Sequence, residues 1–199
     1  GPLGMQDSGF NPDPELLPRI APTEVDTTFR FTHVHGVVHD ENAYAIGGVA
    51  GHAGLFSSAR DMAVLAQMLL NGGAVPACPG ERESGVPCSV SRPGPVRIAA
   101  PTSVELFTRR HDATSSRALG WDTPSEGSSS GDYLTERAFG HTGFTGTSIW
   151  VDPELDLFVL YVEGFEAWEG ERFLRAARSC SFFTCFGSIP TFAARSVTS

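Results

Sequence analysis

The sequence predicts an α+β fold in which helices pack against an antiparallel sheet. Two runs near the end of the chain, Thr147–Val151 and Leu155–Val162, have the composition of β-strands, and the turn-forming pair Asp152-Pro153 separates them. That order predicts a β-hairpin whose second strand is largely buried. Helical spacing of apolar residues after Ser58 predicts a helix for the other layer.

The chain divides into three parts. Residues 1–30 are expected to form an extended segment over the surface, because prolines recur there among acidic and apolar residues. Residues 31–162 are expected to form the folded domain, with an irregular insertion at 74–96. Residues 163–199 lack a settled hydrophobic periodicity and are expected to form a divergent tail with one loose helix, Ala167–Arg178.

Histidines cluster at the start of the folded part. Phe29–Val38 alternates enough to predict a short strand, which would place His33 and His35 on one face, with His39 and Asp40 close behind. A zinc site is one interpretation, because histidine and aspartate are zinc ligands. A polar strand face near the mouth of a site is the more ordinary one, so we predict no metal ligand and no cofactor.

The glycine-rich stretch Gly47–Gly54 surrounds His52 and predicts a close-packed loop. A helix is expected after it, with Ser58 as the N-cap and Asp61 in the first turn. Asn71-Gly72-Gly73 would end this helix. Its predicted buried face consists of Met62, Leu65, Ala66 and Leu69.

The insertion at 74–96 is rich in proline and glycine and contains two of the four cysteines. Disulfides within the pairs Cys78/Cys88 and Cys180/Cys185 stay open from the sequence. After the insertion, Pro101–Arg110 predicts a second helix with the proline in its first turn. Ala118–Trp121 is expected to begin a strand.

The string Gly127-Ser128-Ser129-Ser130-Gly131 has the spacing of a nucleophile elbow. Such an elbow needs a buried strand before it and a helix after it. Here Pro124 and Ser125 precede the string and Asp132 follows closely, so an exposed loop is the better interpretation.

The stretch Phe139–Thr147 alternates glycine with small polar residues just before the predicted hairpin. Its order, Phe-Gly-His-Thr-Gly-Phe-Thr-Gly-Thr, resembles the third motif of the serine β-lactamase and penicillin-binding-protein superfamily. That motif is Lys-Thr-Gly in the best-known members and often His-Thr-Gly in the class C-like esterases. The stretches Val38–Ser57 and Pro2–Phe10 resemble further segments of the same hydrolases. Together these matches cover about residues 2–73 and 97–162 and imply a partial β-lactamase/transpeptidase-like fold.

The resemblance also implies which residues form the site. His141 would take the place of the lysine that helps to bind an anionic or polar end of the substrate. Thr142 would offer a hydroxyl, and Gly143 would permit close backbone approach. Thr145 would lie near the strand N–H that stabilises the oxyanion. The substrate-binding residues that the resemblance implies are Phe144, Thr145 and His52.

Two of the family's three motifs are missing from this chain. The nucleophile of the family lies in Ser-x-x-Lys, but all 14 basic residues here are arginines, which stay protonated and cannot take the serine proton. The tyrosine motif is missing as well, since none of Tyr44, Tyr133 and Tyr161 is followed two positions later by asparagine. We therefore expect a serine-hydrolase-related chain that is inactive alone.

Composition limits the partners. A net charge of −9 argues against nucleic acid and anionic membrane surfaces, because both need basic patches. The expected substrate is a small ester or amide. The expected protein partner is a second copy or a complementing N-terminal chain, since a partial sheet exposes an edge. A non-catalytic ligand-binding module and an esterase with an unrecognised serine or cysteine nucleophile stay open as alternatives.

Overall fold

The computed structural model of the chain describes residues 1–75, 94–162 and the strand at 184–187. The predicted helix Ala167–Arg178 lies outside these residues. The side chains of Cys78, Cys88, Cys180 and Cys185 also lie outside the described part of the chain. The described elements, in chain order, are β1 Gly9–Phe10, a 3-10 helix Pro14–Arg19, β2 Glu24–Asp26, β3 Thr32–Val34, α1 Glu41–Ala45, β4 Leu55–Phe56, α2 Ala59–Leu70, β5 Ala74–Val75, β6 Val96–Arg97, α3 Pro101–Thr108, β7 Phe139–Gly143, β8 Thr147–Asp152, β9 Leu157–Val162 and β10 Thr184–Gly187.

The main sheet is antiparallel, with the strand order β10-β9-β8-β7. Its centre is the predicted hairpin: β8 and β9 pair from Thr147 opposite Val162 to Asp152 opposite Leu157. The turn between them is tight because Asp152 is buried and its carboxylate accepts the N–H groups of Glu154 and Leu155. The hairpin prediction is therefore confirmed, with strand ends that differ by one or two residues.

Helix α2 covers one face of this sheet. Its side chains pack on a buried cluster made by alternate residues of the strands, which point to the same face. Ser58 caps the helix as predicted, its hydroxyl accepting the N–H of Asp61 at 3.3 Å. The cluster consists of Ala66, Phe139, Val151, Phe158 and Leu160, with Met62, Ala63, Leu69, Leu70, Trp121 and Ile149 packed around it.

A buried carboxylate ties the beginning of the chain to α2. Asp61 is 4% exposed, and its Oδ2 accepts the N–H of Asp7 and the hydroxyl of Ser8, both at 2.8 Å. The segment 1–30 pairs with later parts of the chain, β1 with β4 and β2 with β3. It is not uniformly extended, however, because Asp13 caps the 3-10 helix and Pro14 occupies its first position, where a missing N–H costs nothing.

A second buried carboxylate organises the β2–β3 hairpin. Asp26 accepts the N–H groups of Thr28, Phe29 and Arg30, and it pairs with the Arg30 guanidinium at 3.0 Å. The N–H of Phe29 first, with the other donors, holds the pKa of Asp26 well below its usual range. Arg30 continues to the carbonyl of Val38 at 2.7 Å, so this pair joins the hairpin to the approach to α1.

Two predicted strands differ from the structure, one in its extent and one in kind. Phe29–Val38 is a strand only over Thr32–Val34, because Phe31 and Gly36 both have positive φ angles that interrupt an extended chain. Ala118–Trp121 is a tight turn rather than a strand, with Ala118 donating to the Trp121 carbonyl at 2.9 Å.

The two ends of the predicted insertion form short paired strands. β5 and β6 pair with each other, so residues 74–75 and 96–97 close the segment between them as an antiparallel ladder. The predicted second helix is confirmed as α3, which ends at Thr108.

Among the helices that the structure describes, none has the length and apolar composition of a membrane span.

Candidate functional site

The third-motif residues form strand β7 and the turn that follows it. His141 lies opposite Ile149, and Gly143 lies opposite Thr147. The three-residue loop 144–146 joins β7 to β8 as a second hairpin. In this loop Gly146, at φ +81°, donates its N–H to the Gly143 carbonyl at 3.1 Å. A three-residue loop that ends in a left-handed glycine is a standard β-hairpin connection, so the glycine spacing of the motif has a structural cause.

Strand β7 is the outer strand of the sheet in the described part of the chain. Beyond it, Asp122 alone exchanges two backbone hydrogen bonds with Gly140, at 2.7 and 2.9 Å. Backbone groups two residues apart on a strand point the same way, so the N–H and carbonyl of Thr142 face this outer side too. The strand therefore presents the Thr142 N–H at its end, where an extended substrate could add, while the Thr142 carbonyl oxygen lies 2.6 Å from Nδ1 of His141.

Glycine at 140 is required by the packing of β7 on β8. A Cβ at this position would lie 2.3 Å from the Ile149 carbonyl oxygen and 2.4 Å from the ring of Trp150. At Gly143 a Cβ would lie 2.3 Å from the Thr147 hydroxyl. The close approach expected of Gly143 is thus made to the hairpin's own second strand.

His141 is exposed and is held by two contacts. Its Nδ1 lies 2.6 Å from the Thr142 carbonyl oxygen, and its Nε2 lies 3.0 Å from Nη1 of Arg117. Arg117 reaches this position because Arg117 and Asp122 bridge across the tight turn and Asp122 bridges onward to Gly140. The sequence does not predict Arg117 at this site, because its pattern predicts a strand at Ala118–Trp121 where the structure has a turn. Gly120, which adopts φ +83°, is the turn-forming residue.

The other motif residues lie in the hairpin loop. Phe144 is 77% exposed, and its ring lies 5.2 Å from that of His39, just before α1. Thr145 is in the turn and half-buried, so in this geometry the strand N–H on the outer side belongs to Thr142. His141 and Thr142 thus lie at one end of β7 and Phe144 follows in the loop, where its ring contacts that of His39.

His52 belongs to a separate contact. Its Nε2 lies 3.1 Å from Oδ1 of Asp40, which also caps α1 by accepting the N–H of Ala43 at 2.7 Å. The N–H of Ala43 first, and then His52, lower the pKa of Asp40. Within the described ranges no hydrogen bond joins His52 to β7.

Two of the other histidines form structural contacts. His35 bonds through Nε2 to the carbonyls of Leu17 and Ile20 at 3.0 and 2.8 Å, and His39 lies 3.4 Å from the carboxylate of Glu24. No group of three or more potential metal ligands comes together among the residues that the structure describes.

The serine-rich string 127–131 is a loop, as predicted. Residues 126–127 and 129–130 are turns, and the hydroxyl of Ser128 lies 2.6 Å from that of Ser130. Neither a strand nor a helix flanks the string, so the elbow geometry is missing here.

Comparison with known proteins agrees with the motif. A family model described as Beta-lactamase matches residues 1–177. The match passes Val162, so the expectation that the resemblance ends there is wrong. Proteins from Salmonella paratyphi B, Salmonella newport and Salmonella heidelberg, provisionally named D-alanyl-D-alanine carboxypeptidases, are each 36% identical over 168 residues.

The alignments cover 76% of this chain and 35% of each Salmonella protein. The chain therefore spans about a third of the length of the curated relatives that it matches. Because the family model matches most of the chain, the family assignment does not depend on the third motif alone. The chain belongs to the beta-lactamase family, within the superfamily of serine β-lactamases and penicillin-binding proteins.

Proposed function

We propose that this chain forms the third-motif wall of an acyl pocket in a serine hydrolase that cleaves a small ester or amide. The observation that supports it most is the geometry of β7. His141 and Thr142 are exposed on its outer end, and the Thr142 N–H faces the side on which an extended substrate would lie. Family membership makes acyl transfer the natural chemistry for such an edge.

The edge would act on the substrate by hydrogen bonding. A strand N–H aimed at an acyl carbonyl stabilises the negative oxygen that develops during nucleophilic attack. Thr142 contributes that backbone donor. Because neighbouring residues of a strand point to opposite faces, the Thr142 hydroxyl and the His141 imidazole would flank the edge from the two faces of the sheet. Gly143 and Gly146 allow the hairpin to close tightly behind these groups. Phe144 would add apolar contact to the acyl group.

In this proposal the nucleophile comes from residues outside the 1–199 sequence. Acyl transfer in this superfamily uses the Ser-x-x-Lys serine, and the present chain contains no lysine. We therefore propose that the chain alone binds substrate without turning it over. A segment that carries the Ser-x-x-Lys and tyrosine motifs, supplied by a partner, would complete the pocket.

The names of the relatives support a substrate class. Their name specifies a D-alanyl-D-alanine bond, which is an amide next to a free carboxylate. We propose the same kind of substrate for the completed site: a small molecule with an acyl group, a scissile amide or ester and a terminal carboxylate. The net charge of −9 makes nucleic acid and anionic membrane surfaces unsuitable partners.

The partner would cover the outer side of the sheet. Beyond Gly140 the edge of β7 has no further described ladder contact, which favours addition of another strand. A complementing chain with the missing motifs and a second copy of this chain are the two partners that we propose. Light scattering distinguishes them from a monomer.

The test is hydrolysis of a short p-nitrophenyl ester, with intact-mass detection of a fluorophosphonate adduct. The chain alone should give neither turnover nor adduct. Mixed with a segment carrying the Ser-x-x-Lys motif, it should give turnover that His141→Ala reduces. The matched control is His111→Ala, since His111 is also exposed and also bonds a carbonyl, that of Leu106 at 2.7 Å.

Two other results would change the proposal. Turnover by the chain alone, with one stoichiometric adduct, would mean that an unrecognised serine or cysteine is the nucleophile, and peptide mapping would identify it. Ligand binding that no added segment converts into turnover would mean a non-catalytic binding module.

A further inference from the structure

The contact between Arg117 and His141 fixes the state of the imidazole. Nη1 of Arg117 lies 3.0 Å from Nε2 of His141. A guanidinium only donates hydrogen bonds, so Nε2 must be the acceptor and carries no proton. On the other side of the ring, Nδ1 lies 2.6 Å from the Thr142 carbonyl oxygen, which only accepts. Nδ1 therefore carries the proton, and both contacts are satisfied by one neutral tautomer.

The protonated form does not fit this arrangement. An imidazolium would direct a second N–H at the guanidinium, which removes the hydrogen bond and places two cations in contact. Among the described residues, the carboxylate paired with Arg117 is that of Asp122, whose Oδ2 is 4.0 Å from Nη1 of Arg117. That separation is too long for a hydrogen bond that would compensate the second charge.

We propose that Arg117 supplies the positive charge of this site and that His141 is a neutral positioning residue that orients it. This inference rests on the proposed function and deepens it. The family resemblance gives His141 the place of a lysine; the structure assigns the position to His141 and the charge to Arg117. The ligand group recognised would be a carboxylate.

The guanidinium is available for such a ligand. The Arg117 side chain is 60% exposed, and among the described residues its guanidinium contacts only His141 and Asp122. Its planar fork keeps further N–H donors that match the two oxygens of a carboxylate. His141, which holds the guanidinium, directly precedes Thr142, whose strand N–H would hold the acyl group.

The tautomer is tested without any ligand. Side-chain 15N chemical shifts of His141 are measured near pH 8, well above the ordinary histidine pKa of about 6.5. The chain should show the Nδ1–H tautomer, as should Arg109→Ala, which removes an exposed arginine at the end of α3. Arg117→Ala should release the ring into a mixture of tautomers. An Nε2–H ring or an imidazolium in the unmodified chain overturns the inference.

The charge assignment is tested by calorimetry with N-acetyl-D-alanyl-D-alanine and its C-terminal methyl ester, which lacks the carboxylate. The carboxylate form should bind about tenfold more tightly, as expected for one charge-assisted contact at an exposed site. Arg117→Ala should remove that preference, Arg117→Lys should keep part of it, and Arg109→Ala should leave it unchanged.

The outcomes separate this inference from the proposed function. Equal binding of both ligands by the unmodified chain refutes the charge assignment and leaves the proposed function standing. Failure of both ligands to bind refutes the proposed function and, with it, the recognition of a carboxylate. A carboxylate preference that survives in Arg117→Ala, with circular dichroism unchanged, also overturns the assignment.

Discussion

Substitution of Gly140 by alanine tests the packing that places the motif strand. The new Cβ would lie 2.3 Å from the Ile149 carbonyl oxygen and 2.4 and 2.6 Å from two ring atoms of Trp150. Real Cβ atoms essentially never approach heavy atoms closer than 3.0 Å, so a neighbour must move. Trp150 is only 4% exposed and cannot swing away, which leaves separation of β7 from β8 as the main response.

The expected cost follows from that geometry. Overpacking costs about 1–3 kcal/mol, and a clash with backbone and a buried ring belongs at the upper end. Loss of glycine freedom in the unfolded chain returns about 0.4–1 kcal/mol. The net destabilisation is therefore about 2 kcal/mol, which lowers the Tm by about 4–8 °C for a chain of this size.

Thermal unfolding followed by tryptophan fluorescence measures the effect, because Trp150 is in the contact. The control is Gly51→Ala: a Cβ there meets nothing within 4 Å, and the backbone has no left-handed φ. The control should leave the Tm unchanged or slightly raised. Equal Tm values for the two variants would refute the close packing of β7 on β8.

Three further substitutions test the supporting structure. Ser58→Ala removes the α2 cap and should cost about 1 kcal/mol in urea unfolding, whereas Ser103→Ala on exposed α3 should change little. Ala100→Asp adds the side-chain cap that α3 lacks and should raise the urea midpoint; an unchanged midpoint would contradict the cap geometry. Asp26 has a lowered folded pKa, so its contribution is complete above the unfolded value of about 3.9 and disappears as the pH falls below it. Asp26→Asn should therefore lower the midpoint at neutral pH and flatten its decrease in acid more than Asp112→Asn does, and identical acid profiles would count against the buried pair.

Local patterns predict the elements whose causes are local. The β8–β9 hairpin follows from composition and its turn residues, and α2 follows from its cap and its periodicity. The extent of β3 does not follow from the alternation, because Phe31 adopts a positive φ beside Arg30, whose side chain bonds both Asp26 and the Val38 carbonyl. Asp61 likewise looked like a helix-start residue, but its buried carboxylate holds residues 54 positions earlier in the chain.

The site is predicted in part for the same reason. The motif singles out His141 and Thr142, and the structure places them on β7, a strand that the predicted hairpin does not include. Arg117 is 24 residues away and reaches His141 only because two bridges and a turn fold it back. A tertiary contact of this kind has no local signature. The turn has one, Gly120, but the apolar residues on both sides of it favour a strand in the sequence pattern.

The most direct test of the central claim is an NMR titration of the 15N-labelled chain with N-acetyl-D-alanyl-D-alanine, following the backbone amides. The account predicts that the Thr142 amide shifts and saturates while the exposed loop amide of Gly51 does not, and that the dipeptide is recovered intact. Saturable shifts elsewhere with none at Thr142 would contradict the claim that the outer edge of β7 forms the acyl-binding wall.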